Sequence, residues 1–75
     1  MNEEYEKIEI KTFNEIIKVA EILKKQNKLI LDIIHLSDQY ERRRVMDFLT
    51  GIAFAKNLKI RNINKQGVFL IYDSI

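Results

Sequence analysis

The sequence predicts a two-layer α/β sandwich in the order βαβαββ, two helices packed on a four-stranded sheet. Three patterns carry that prediction. Two segments repeat apolar residues at helical spacing; alternating or densely apolar runs too short for helices surround them; and a polar turn with a glycine separates the last two runs.

The first run, Lys7-Ile8-Glu9-Ile10-Lys11, alternates strictly and predicts a short strand exposed on one side. Thr12-Phe13-Asn14-Glu15 follows as a capping box, in which Thr12 and Glu15 satisfy each other's free backbone donors. Phe13, Ile16, Ile17, Ala20 and Leu23 then recur at helical spacing, and the helix fades near Gln26-Asn27. The dense apolar run Lys28 to Ile34 predicts a central strand. Ser37-Asp38 with Glu41 offers the N-cap of a second, longer helix. Leu58 to Ile63 and Val68 to Tyr72 predict two more strands. Asn64-Lys65-Gln66-Gly67 joins them as a hairpin turn, with Gly67 suited to a positive φ.

The second helix carries more apolar surface than one core requires. At about 100° per residue, Val45, Leu49 and Ile52 fall together as a core stripe. Phe54 lies opposite Val45, and Gly51 stands between Phe54 and Ala55. A glycine inside a helix costs about 1 kcal/mol relative to alanine. Close approach of a neighbouring helix would recover that cost, so the helix is expected to face its own core on one side and a neighbour on the other. The last strand gives the same hint. Val68, Leu70 and Tyr72 alternate with Phe69 and Ile71, so helices on one face leave an apolar set on the other. Coverage of that face by the chain ends is the alternative.

Composition bounds the function. Seventy-five residues make one small domain with a marginal core, which association with another copy would enlarge. The chain has no cysteine and no proline, and its two glycines mark no linker. Its apolar runs are too short to span a membrane, and no signal peptide is present. A net charge of +2 permits an acidic partner without demanding one.

Candidate chemistry is sparse. His35 is the sole histidine, so no multi-histidine metal site forms within one chain. Ser37 serves better as a cap than as a nucleophile. Asp32, among isoleucines on the central strand, could be a general acid or a cation ligand. The plainer reading is a carboxylate at a strand end accepting hydrogen bonds from a loop, since a site needs partners. No phosphate-binding glycine loop is present. The chain is therefore read as non-enzymatic, with no cofactor and no metal. Arg42-Arg43-Arg44 is the strongest charge cluster. Such a run is ordinarily a solvated helix start with local ion pairs to Asp38, Glu41 and Asp47. The alternative is a small nucleic-acid-binding domain contacting phosphates through Arg42 to Arg44, with Lys24, Lys25 and Lys28 added.

The stretch Arg43-Arg44-Val45-Met46-Asp47-Phe48-Leu49-Thr50-Gly51-Ile52-Ala53-Phe54-Ala55 resembles a signature segment of the SepF cell-division proteins. Ile60-Arg61-Asn62-Ile63, a turn, and Gly67-Val68-Phe69-Leu70-Ile71 are similar to the family's ending. Phe13-Asn14-Glu15-Ile16 and Leu29 to Ile33 are similar to its first helix and second strand. The resemblance divides the chain into a short N-terminal tail, 1–7, and a core domain, 8–75. The ending Ile71 to Ile75 lacks the family's Thr-Pro, and Leu31-Asp32-Ile33 is closer to the archaeal branch.

The resemblance implies a homodimeric adaptor that binds the C-terminal tail of the tubulin-like protein FtsZ. It would link division filaments to the cytoplasmic face of the cell membrane at the division site during septum formation. It implies that Gly51 belongs to a subunit contact and that Phe69 holds the FtsZ peptide. The helical wheel extends the subunit contact to Asp47, Phe54 and Ala55. Strand alternation extends the peptide site to Arg61, Ile63 and Ile71. Family members carry an amphipathic membrane helix, and Met1 to Glu6 is too short and too acidic to be one. Membrane contact is thus expected only through a segment absent from this chain. Whether dimers polymerise further is left open.

Overall fold

The computed structural model describes residues 5–73. Positions 1–4 of the expected tail and 74–75 of the expected core domain lie outside the described residues. The elements are β1 (Lys7–Glu9), a 3-10 turn (Phe13–Glu15), α1 (Ile16–Lys25), β2 (Leu29–Asp32), α2 (Gln39–Lys56), β3 (Leu58–Asn64) and β4 (Val68–Asp73). This is the predicted βαβαββ order. The sheet runs β1-β2-β4-β3, with β1 parallel to β2 and β4 antiparallel to both its neighbours. Strands β1, β2 and β3 therefore share one direction, and each helix is a crossover between two of them. Both crossovers step the same way across the sheet, so right-handed connection lays the two helices on one face, running in the same sense. Phe13 N–H donates to Glu41 Oε1 (2.9 Å) at the leading ends of the helices. Lys56 Nζ donates to the Leu23 carbonyl at their trailing ends.

Register decides which face is covered. Leu29 pairs with Ile71 and Leu31 with Phe69, and Ile71 pairs with Ile60. Directly opposed residues project to the same side. Leu29, Leu31, Ile33 and Ile71 are buried with Val19 and Leu23 of α1 and Val45, Leu49 and Ala53 of α2. The helices thus cover the side carrying Phe69 and Ile71. The other side carries Ile30, Val68, Leu70 and Tyr72, all half-buried, beside the exposed Lys59 and Arg61.

Local chemistry sets the element ends. Asp38 caps α2 as expected, its Oδ1 accepting from Tyr40 N–H (2.8 Å) and Glu41 N–H (3.4 Å). Ser37 makes no such contact among the described residues, and the Glu41 carboxylate instead accepts from Phe13 N–H of the 3-10 turn. The helix stops at Asn57, which adopts the left-handed conformation (φ 61°) and turns its N–H back on Ala53 and Phe54. Gly67, at φ +127°, closes the β3–β4 turn.

The capping box does not form as predicted. The Thr12 side chain caps nothing, and Glu15 Oε1 accepts from Lys11 N–H (2.6 Å), one residue before its expected partner. The reason is that the segment opens as a 3-10 turn, tighter than the α-helical first turn the motif needs. β1 and β2 are also shorter than their apolar runs, because the strands diverge after Glu9 and Asp32. One further bond, from Ile10 N–H to the Asp32 carbonyl (3.0 Å), ends their pairing.

Two outcomes follow. Asp38→Ala should lower stability by about 1 kcal/mol in urea unfolding, because it frees two backbone donors at the start of α2. The bond from Lys11 N–H holds the Glu15 carboxyl below its ordinary pKa. A group depressed on folding contributes stability above its unfolded pKa and loses it as pH falls through the folded one. An acid titration followed by NMR should therefore place the Glu15 midpoint below that of a free glutamate. In Glu15→Gln, the part of the acid destabilisation in that window should disappear.

Candidate interaction surface

The outer face of α2 gathers the residues expected at a subunit contact. Asp47, Gly51, Phe54 and Ala55 are all exposed, and Phe54 is 90% exposed. A Cβ built on Gly51 meets nothing within 4 Å. The helical cost of this glycine is thus recovered by no close contact among the described residues. Beside it, a cavity of about 230 Å³ opens between the two helices. Ala20 and Leu23 of α1 and Phe48, Ile52 and Ala55 of α2 line it, with Lys24 and Lys56 at one end. Ile17 of α1 is also largely exposed. The helix layer therefore exposes Ile17, Phe48 and Phe54, with the charged side chains of Asp47, Lys24 and Lys56 among them.

The residues expected to hold a peptide are less united. Phe69 is half-buried on the helix side, opposite Leu31 and Asn62. Ile71, expected beside it as a contact, is 1% exposed and belongs to the core, because its partner positions Leu29 and Ile60 face the helices too. Arg61 pairs with Leu70 and projects to the opposite face of the sheet from Phe69. Ile63 stands in the register shift between Asn62 and Asn64 and is 48% exposed. A groove floored by Phe69 and rimmed by Arg61 would have to wrap around the β3 edge.

The arginine run divides three ways. Arg42 turns inward: Nη1 donates to the carbonyls of Ile33 (3.0 Å) and Leu36 (2.9 Å), and Nη2 to that of Gln66 (3.1 Å). Arg44 stacks over the Phe13 ring, 4.2 Å from its centroid. Arg43 is exposed. Since the helices run side by side in the same sense, Lys24 and Lys25 stand at the trailing end of the layer and the arginines at its leading end. No single basic patch joins them, which weighs against phosphate binding along a continuous track.

Sequence reasoning missed the work of Arg42. Its partners are main-chain carbonyls, which leave no side-chain signature. Asp32 takes the plainer of its two readings: 8% exposed, it accepts from Ile34 N–H through Oδ1 (2.9 Å), and Lys7 Nζ lies 3.8 Å from Oδ2. His35 is exposed and sits 3.7 Å from a Glu9 carboxylate oxygen. Among the described residues, no group of His, Cys, Asp or Glu side chains is arranged to hold a metal ion, and no helix is long and apolar enough to cross a membrane.

Comparison with protein families matches residues 7–72 to the family described as cell division protein SepF. No curated protein matches the chain.

The geometry at Gly51 makes a direct test. Gly51→Ala adds a methyl group to open space while restoring helix propensity. It should raise monomer stability by roughly 0.5–1 kcal/mol in urea unfolding at protein concentrations low enough to keep copies apart.

Proposed function

The chain belongs to the SepF family of cell-division proteins, and from that premise we propose that it is a non-enzymatic, homodimeric adaptor for division filaments. It binds the C-terminal tail of FtsZ and works at the cytoplasmic face of the cell membrane during septum formation. The observation that carries this reading is the family match over nearly the whole folded domain. The exposed apolar face of α2 supports the dimer. A second copy packing on Asp47, Gly51, Phe54 and Ala55 would bury Phe54 and bring helix backbones together where Gly51 has no side chain.

The partner tail is assigned to the β3–β4 hairpin. Phe69 and Ile63 supply apolar contacts there, and Arg61, around the strand edge, supplies a charge for an acidic residue of the tail. Ile71 acts from beneath, as support for that surface. Such a site works by burying one or two apolar anchors and adding a few main-chain hydrogen bonds. Each site is then of modest affinity, and the many tails displayed on one filament supply avidity. Membrane linkage in this reading runs through a segment other than the described residues.

Light scattering of the chain beside Gly51→Lys tests the dimer. The wild type should show twice the monomer mass, and the variant the monomer mass with its helical circular dichroism kept. Calorimetric titration with the cognate FtsZ tail should give a dissociation constant on the order of micromolar, which Phe69→Ala weakens at least tenfold. A monomeric wild type, or a wild type that takes up no tail, would remove the adaptor reading.

A further inference from the structure

We propose that Arg42 is the positioning residue of the partner site, holding the β3–β4 hairpin to the start of α2. The proposal rests on the reading that the FtsZ tail docks on that hairpin.

Arg42 lies in the first turn of α2, and its guanidinium bridges two segments of backbone through three carbonyls. The Ile33 and Leu36 carbonyls belong to the connection from β2 to α2, and the Gln66 carbonyl belongs to the hairpin turn. These three bonds use the planar fork that distinguishes arginine from lysine, whose single ammonium cannot span them. The hairpin is shaped to receive the group. A Cβ on Gly67 would lie 2.9 Å from Arg42 Nη2 and 3.2 Å from Ile33 Cγ1. The guanidinium therefore covers the bare backbone of Gly67, and Ile33 N–H bonds the Gly67 carbonyl (2.8 Å) beside it.

Every residue assigned to the partner site stands within a few positions of this clasp. Phe69 is two residues beyond Gly67, and Ile63 lies in the bulge just before the turn. A bulge leaves the register of its strand locally soft. The turn is tied internally by short side-chain bonds, Asn64 N–H to Asn62 Oδ1 (3.0 Å) and Gln66 N–H to Asn64 Oδ1 (2.7 Å). Those bonds fix the turn's own shape. Its position against the helix layer depends on Arg42, on the bond from Ile33 N–H to the Gly67 carbonyl and on the pairing of β4 with β2. The hydrogen bonds of Arg42 go to Ile33, Leu36 and Gln66, none of them a candidate partner residue, so its effect on binding passes through the hairpin.

Two variants test this, Arg42→Met and Arg42→Lys, the second keeping charge and stem while losing the fork. Tail binding by calorimetry should weaken at least tenfold in Arg42→Met and several-fold in Arg42→Lys, with dimer mass unchanged in both. Hydrogen exchange should quicken at Ile33, Leu36 and Gly67 while the amides of α1 keep their protection. Binding within twofold of wild type in Arg42→Lys would overturn the proposal. So would exchange that quickens throughout the chain, which marks a residue needed for the whole fold. If Arg42→Met does not fold, Arg42→Lys alone decides. A wild type that binds no tail would remove the adaptor reading and this proposal together, and that result is read on the unmodified chain before any variant.

Discussion

The constraint on which the molecule depends is its one core, in which Val45, Leu49 and Ala53 of α2 are buried together with Leu29, Leu31 and Ile71 of the two central strands. In so small a domain there is one core, and both helices must be committed to it. The connection between parallel strands then forces them side by side on a single face of the sheet. What remains outside the core is set by subtraction. The outer face of α2 and the seam between the helices keep exposed apolar side chains, and the far side of the sheet keeps half-buried ones. Ile17, Phe48, Phe54 and Ile63 are left standing on open surfaces.

Much of this was legible in the sequence because it rests on periodicity. The helical spacing from Phe13 to Leu23, the Asp38 cap and the Gly67 turn are local signals, and the structure follows them. The apolar character of both sides of β4 was legible too. Which side the helices cover was not, since that depends on pairing with β2, and strand order is a long-range property. Ile71 shows the cost. Alternation places it with Phe69, but pairing with both Leu29 and Ile60 buries it, and no pattern within β4 distinguishes the two. Thr12 and Glu15 fit a motif whose geometry a 3-10 turn forbids.

The three consecutive arginines show how composition misleads. Read as charge, they form the most basic patch on the chain. In the fold one is consumed by carbonyls, one lies on an aromatic ring, and one remains in solvent. Local charge density thus overstates what the surface offers a polyanion. The glycine of α2 is a steric signal: the wheel places it on the outer face, and among the described residues a Cβ there would meet nothing within 4 Å.

The register shift between Asn62 and Asn64 has a consequence for how copies could assemble. β3 is an edge strand, and a bulge flanked by Lys59, Arg61 and Lys65 spoils it as a template for another strand. The opposite edge, β1, is only three residues long and carries Lys7 and Glu9. Neither rim of the sheet invites continuation by a second copy. In the proposed assembly, larger growth would run through the faces, layer upon layer, as piles of discrete units rather than one extended ribbon.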